Sequence, residues 1–389
     1  MSYKKWVNAE IDKAKASALS EKLNIDAFVA FLLVSRGIDD ELAASEFLSD
    51  GCRFSSPYLL KDMDKAVKRI NRALDDGESI CIYGDYDCDG VTSTALLYTF
   101  LSTLGGFVSY YIPNRATDGY GMNFKAIDKI KADGTDLIIT VDNGISSIEE
   151  AEYIYSLGMQ LIVTDHHQIG EHLPRAEAVI NPHREDNEIE FRDFAGVGVA
   201  FKLACALYDG DVEDLLEDYA DYVTIGTIGD MVPLLNENRA IVKSGLKLIN
   251  TDAKIGISAL KKSTNSKAEH FSATDVAFQI CPRINAAGRM DTANLAVDLL
   301  TCEDNEIAEY KAEQLNLENT HRHEVEEKID KDIAEIMAND RAYQTDRVIV
   351  VAGHNYHKGV IGICAAHLVE LYSKPAIVIG IDDEGNATG

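Results

Sequence analysis

The chain has 389 residues and a formal net charge of −28, from 37 basic and 65 acidic side chains. That length is too great for one compact core, so two or more domains are expected. The charge excludes broad, nonspecific attraction to nucleic acid or an anionic membrane, so a polyanionic substrate has to be drawn in by a local patch or by bound metal.

The seven cysteines include no CxxC pair, which favours reduced, mostly buried thiols over a disulfide framework or zinc site. The opening MSYKKWVNAE has no apolar signal core, and no apolar run reaches membrane-spanning length, so a cytoplasmic protein without a membrane partner is expected.

Residues 1–75 read as helical, most clearly in IDAFVAFLLVSRG and MDKAVKRINRAL. From residue 79, short apolar runs (SICIY, VSYYI, DLIITVD, QLIVTDH, EAVINP) alternate with helical stretches (VTSTALLYTFLSTL, FKAIDKIKA, IEEAEYIYSL). That rhythm predicts an α/β fold with a mainly parallel sheet and helices on both faces. Residues 196–229 read as helical again, with Asp230 at their end.

Residues 304–340 contain neither Pro nor Gly, and Val325, Ile329, Ile333 and Ile336 form a narrow apolar stripe. This reads as a long linker helix. RVIVVAG, GVIGICAAHLVELY and KPAIVIG then begin a second α/β unit, and DDEGNATG reads as a turn. The expected organisation is a helical region over 1–75 packed on an α/β domain over 76–303, a linker over 304–342, and a partial α/β domain over 343–389. The last piece is short for a core of its own, so the chain is expected to be a fragment or to pack that piece on the rest.

In open parallel sheets, functional groups gather at the carboxyl ends of strands. Three runs here end in such groups: Asp85, Asp87 and Asp89 after the first, Asp142 after the third, and Asp165, His166 and His167 after the fourth. If these strands are neighbours, five aspartates and two histidines share one crevice, and their repulsion calls for a cation. Oxygen-rich donors with imidazole suit Mn²⁺ or Mg²⁺ better than structural zinc. Gly84 and Gly90 permit a tight turn around the first cluster, and the amides opening the next helix are candidates to receive a phosphate. Taken singly, DxDxDG also fits a calcium loop, an acidic turn or a helix cap, and DHH fits ordinary core or surface histidines. Together and in this order they are far more specific.

GDYDCDGVTS, TVDNGIS, TDHH and IGDMVPL resemble, in order and spacing, the four acidic motifs of the DHH phosphoesterase family. More narrowly, with IPNRATDGYG, CPRINAAGRM and GHNYHKGVIG, nearly the whole chain resembles that family's single-strand-specific 5′→3′ exonucleases. The resemblance implies metal ligation by Asp85, Asp87, Asp89, Asp142, His166 and Asp230, with Asp142 bridging two Mn²⁺ or Mg²⁺ ions. It implies that Asp165 orients His166, and that His167 contacts the scissile phosphate or the attacking water.

A hydroxide attacking phosphorus would then release 5′-mononucleotides from single-stranded DNA, in repair or recombination. Arg115, Tyr120, Arg283, Asn285, Arg289 and His357 are the implied substrate contacts, through phosphate forks and base stacking. His354, His321 and His323 read as solvated. The second unit resembles the opening of the DHH-associated domain, DHHA1. A monomer is expected, with a single-strand-binding protein or helicase as possible partner. Two alternatives stay open: a phosphodiesterase for short oligoribonucleotides or cyclic dinucleotides, and a non-catalytic scaffold, which the full set of acidic residues disfavours.

Overall fold

The computed structural model describes residues 7, 10–49, 54–115, 119, 121–290, 292–340 and 342–389. The five apolar runs form parallel strands β1 (Ser79–Tyr83), β2 (Phe107–Tyr111), β3 (Leu137–Val141), β4 (Gln160–Thr164) and β5 (Ala178–Ile180). Their order is β2-β1-β3-β4-β5. The chain leaves β1 for β2 on one side and returns past β1 to β3 on the other. The strand order therefore reverses at β1/β3, which is where a parallel sheet opens a crevice at its carboxyl edge.

Four helices precede the sheet: α1 (Lys13–Leu23), α2 (Ala27–Ser35), α3 (Glu41–Leu48) and α4 (Met63–Asp76). The first three share a small apolar cluster around Leu19, Ala30, Leu33 and Ala44. By contrast, α4 sends Met63, Ala66, Ile70 and Ala73 into the main core. Within the sheet region run α5 (Cys88–Thr103), α6 (Phe124–Ala132) and α7 (Ile148–Ser156).

The stretch read as one helical segment over 196–229 is two helices, α8 (Gly196–Leu207) and α9 (Val212–Gly229). Gly210 and the N-cap Asp211 lie in the break between them. There follow α10 (Asn236–Thr251), α11 (Ile255–Ser263), the short α12 (Ala273–Asp275), α13 (Cys281–Met290) and α14 (Asn294–Leu300). A π-helical turn, Val276–Ile280, leads directly into α13.

Alternate residues of each strand face opposite cores. Ile80, Ile82, Ile139 and Ile162 join the large core with α4, α5, α8 and α9, while Cys81, Tyr83, Ile138 and Leu161 face α6 and α7. Every residue of β3 is buried, as a strand covered on both faces requires.

The linker helix is α15 (Asn305–Asn339), followed by the short α16 (Ala342–Thr345). A second sheet pairs β6 (Ile349–His354) in parallel with β7 (Ala376–Ile381) across α17 (Ile361–Tyr372). The terminal residues do more than turn: Asp382–Gly385 makes the turn, and β8 (Ala387–Thr388) returns antiparallel on β7. Ile349, Val351, Cys364, Leu368 and Val378 pack on Ile329 and Ile333 of α15, so the predicted stripe supplies the core that the short unit lacks. Among the described residues, no helix is long and apolar enough to cross a membrane.

Candidate metal centre

Because β1, β3 and β4 are neighbours, their carboxyl ends lie side by side. Asp142 directly follows Val141, which is in register with Thr164, and its N–H donates to the Thr164 carbonyl. The Asp142 backbone sits in the left-handed region at φ 60°, a conformation asparagine and aspartate tolerate better than most residues and one often found at functional sites. Asp85, Asp89, Asp142 and Asp165 are all nearly inaccessible to solvent.

His166 Nε2 stands 3.0 Å from Asp142 Oδ1, 3.7 Å from Asp89 Oδ2 and 3.8 Å from Asp230 Oδ2. Asp230 is brought in as the C-cap of α9. Ligand atoms of Asp89, His166 and Asp230 lie within 4.8 Å of one another, as do those of Asp142, His166 and His167, and those of Asp85, Asp87 and Asp142.

Asp85 Oδ1, Asp142 Oδ1 and His166 Nε2 are buried and make no hydrogen bond. Orphaned buried acceptors are costly unless something completes them. The charges tell the same story. Burial, and then the neighbouring carboxylates, push Asp89 and Asp142 well above the usual carboxylate range. Burial and Asp87 raise Asp85 to about 7 and Asp230 to about 6. Burial and the His167 charge lower His166 to about 4, so its ring is neutral at pH 7. A neutral imidazole among oxygen donors with unused lone pairs fits a hard divalent cation.

Asp89 is held by a second element. Its carboxylate accepts the Gly196 and Val197 N–H groups, at 2.5 and 2.8 Å, and so caps the N-terminus of α8 from outside the helix. Gly196 is needed for that approach: a Cβ there would fall 2.6 Å from Asp142 Cβ and 2.8 Å from Asp142 Oδ1. Gly226 of α9 is similarly confined, its Cβ position lying 2.3 Å from Thr92 Oγ1 and 3.0 Å from Asp89 Oδ1. Neither glycine was singled out from sequence. The FAGVG stretch opening a helix without a capping side chain was the available signal.

Three expectations change. The amides opening α5 are not open to a phosphate. Cys88 N–H donates to Asn285 Oδ1, and Asp89 and Gly90 N–H both donate to Asp87 Oδ1. Asn285, expected as a substrate contact, uses its Oδ1 to hold the acidic loop. Second, Asp165 orients His167 rather than His166. Asp165 Oδ1 lies 2.7 Å from His167 Nδ1, while the His166 ring bonds the main chain of Phe194. Burial opposes ionisation of Asp165, but the His167 hydrogen bond and charge keep its pKa low, and the same bond raises that of His167. Third, Arg283 turns to the linker helix, donating to Asn316 Oδ1 and to the Gln279 carbonyl.

The remaining contacts converge. Arg115 and Arg289 line a cleft of about 870 Å³ with His357, Lys358 and Tyr356, at the edge of the second sheet. Arg115 stacks over the Tyr86 ring at 5.2 Å, beside the acidic loop. Arg289 Nη1 donates to the Gly359 carbonyl, and burial and the neighbouring Arg115 and Arg322 lower its pKa. A neighbouring cavity of about 590 Å³ is lined by His321, His354 and His357 with Lys328 and Lys331. His321 and His354 thus border a cavity, although both are exposed. Tyr120 lies outside the described residues.

Residues 79–227 match the DHH family, N-terminal domain. The chain is 41% identical over 381 residues to the single-stranded-DNA-specific exonuclease RecJ of Bacillus subtilis (strain 168), an alignment covering 98% of this chain and 48% of that protein. It thus spans about half the length of that relative. A crystal structure of exonuclease RecJ bound to manganese matches with a TM-score of 0.74 and 33% identity, over 85% of this chain and 82% of that one. RecJ of Thermus thermophilus in complex with Mn²⁺ matches with a TM-score of 0.80 and 30% identity, over 96% of this chain and 53% of that one.

Proposed function

The chain belongs to the DHH family, in its RecJ branch, and from that premise we propose that it hydrolyses single-stranded DNA from the 5′ end to 5′-mononucleotides. The observation that carries this reading is the buried set of carboxylates with orphaned oxygens around His166, next to a cleft lined by arginines. Asp85, Asp87, Asp89, Asp142, His166 and Asp230 would hold manganese or magnesium, the ions of the solved RecJ structures it resembles. Asp142 belongs to two of the overlapping ligand sets, which supports two ions with Asp142 between them. When bound, such ions supply positive charge to the phosphoryl oxygens and acidify an attacking water near neutral pH.

The protein's own groups do the rest. Asp165 accepts from His167 Nδ1, which fixes the imidazole tautomer and aims Nε2 to hold a proton at a phosphoryl or leaving oxygen. The helix α8 N-terminus fixes Asp89, and the Phe194 main chain fixes His166. Arg115 and Arg289 from the first unit and His357 from the second bind the phosphates of the strand, so that the five-stranded unit cuts and the cleft between it and the three-stranded unit grips. A single-strand-binding protein or helicase would deliver the strand to a monomer.

The test is digestion of 5′- and 3′-labelled single strands with Mn²⁺. Mononucleotide release from the 5′ end is expected; preference for duplex, or attack from the 3′ end, contradicts the reading. A length series down to dinucleotides and cyclic dinucleotides separates it from a small-substrate phosphodiesterase.

A further inference from the structure

β5 ends at Ile180, and the next residue, Asn181, is fully buried and precedes Pro182. A residue before proline is biased to extended backbone, so Asn181 leaves the strand in a restricted conformation. It then opens a turn. Its carbonyl accepts from the Arg184 N–H at 3.2 Å, and its Oδ1 accepts from the His183 N–H at 2.8 Å. With Oδ1 so engaged, the amide presents Nδ2 on its other side, where it donates to the His167 carbonyl at 2.9 Å.

That bond falls where the sheet stops helping. The pairing of β4 with β5 runs to Thr164 and Ile180, and the Asp165 N–H still reaches the Ile180 carbonyl. His166 and His167 lie beyond it, and side chains take over the work of the ladder. Asp165 Oδ1 accepts from the His166 and His167 N–H groups at 2.7 and 3.1 Å and lies 2.7 Å from His167 Nδ1. Asn181 takes the His167 carbonyl, so that His167 is pinned at both ends of its main chain and at its ring. Asn181 is anchored in turn: Asn187 Nδ2 donates to its carbonyl at 2.8 Å, and Asn187 Oδ1 accepts from the Lys61 N–H at 2.7 Å.

We propose that Asn181 is a positioning residue for the hydrolysis: by holding the His167 carbonyl, it fixes the backbone from which the His167 ring reaches the scissile phosphate. This rests on the role given above to His167. Asp165 grips His167 through a single oxygen, about which the main chain can pivot; a second anchor on the carbonyl stops that pivot. The pivot matters, because misplacing a reacting group by about 1 Å can cost on the order of a hundredfold in rate. The ion ligands are held by other bonds: Asp89 by the α8 amides, and the His166 ring by the Phe194 main chain. Loss of the Asn181 bond should therefore fall on turnover rather than on ion binding.

The test is a double-mutant cycle on the whole chain, read with Mn²⁺ on labelled single strands. Asn181→Ser keeps a hydroxyl to accept from His183 but is too short to reach the His167 carbonyl. Asn181→Asp keeps the shape and loses the donor, and serves if the serine variant does not fold. Either should lower kcat about 10–100-fold, with KM and Mn²⁺ affinity close to those of the unaltered chain. In a His167→Ala background the same substitutions should cost almost nothing more, since the group they aim is gone. Amide exchange at His166 and His167, read without turnover, should quicken in the Asn181 variants. Full kcat in those variants beside an impaired His167→Ala would overturn the proposal and leave the role of His167 standing. An equally large loss in the His167→Ala background would overturn it too, because Asn181 would then act on the fold or the ion ligands. An unimpaired His167→Ala would overturn the role of His167 itself and the positioning role with it. Unchanged amide exchange would overturn the proposal even in a chain that does not cut DNA.

Discussion

The chain contains two sheets, one parallel and one mixed, that meet water differently. In the first, β3 is buried along its whole length and helices cover both faces. In the second, β6 alternates strictly between buried and exposed residues, and only one face is covered, by α15 and α17. Full cover lets the first sheet end its strands in carboxylates that water cannot relax, so their repulsion is stored until cations arrive. The half-open sheet stores no such charge. It borders a wide cleft where Arg115, Arg289 and Lys358 gather in an otherwise acidic protein. The crowded acidic charge is kept dry, and the basic groups of the cleft are exposed or half-buried.

Asp142→Ala strikes the dry side hardest. Removing the carboxylate shared by two ligand sets should cut metal-dependent hydrolysis on the order of a thousandfold, about 4 kcal/mol of barrier. Because a buried, mutually repelling carboxylate is lost, the metal-free variant should melt at or above the temperature of the unaltered chain by calorimetry. A lower melting temperature would show that the crevice is not strained.

Gly196→Ala probes the same crevice through its wall. Its methyl would meet Asp142 Cβ at 2.6 Å, which displaces the carboxylate, and activity should fall about 10–100-fold with weaker Mn²⁺ binding by calorimetric titration.

The wet side is sharpened by a pair of arginines close in sequence. Arg289→Ala should weaken single-strand binding and lower the slope of log K against log salt by about one. Arg283→Ala should leave that slope unchanged and instead loosen the packing of α13 on the linker helix, since Arg283 bonds Asn316. Equal salt slopes in the two variants would erase the distinction between them.

The smallest effect is in pH. Asp230 and Asp85, at about 6 and about 7 when folded, bind protons more tightly than in the unfolded chain, where a carboxyl titrates near ~4. The metal-free protein should therefore lose stability as pH rises from about 4 toward about 7. Saturating Mn²⁺, which requires the ionised carboxylates, should flatten or reverse that trend in denaturant melts.

Much of this was legible in the chain because it is local. Apolar runs that end in aspartate announce strands and their chemical edge together, and the spacing of Ile329 and Ile333 announces the face that α15 buries. What was not legible depends on pairings through space. Nothing in TDHH says that Asp165 holds the second histidine rather than the first, because adjacent side chains at a strand end diverge. Asn285 reads as a substrate contact in CPRINAAGR, and only the fold shows its Oδ1 accepting from the Cys88 amide. Asp87, read as a ligand, also caps its own helix, and the same oxygen closes the amides that were open to a phosphate on paper. The Gly196 cradle forms only when α8 arrives from more than fifty residues beyond Asp142.

The most direct test is a crystal of the whole chain grown with ample Mn²⁺ and measured at the manganese edge. The expected result is anomalous density among Asp89, Asp142, His166 and Asp230, with the Asp142 carboxylate in contact with it. A crevice without that density, while its side chains keep the positions described above, would contradict the assignment of these residues as a metal centre.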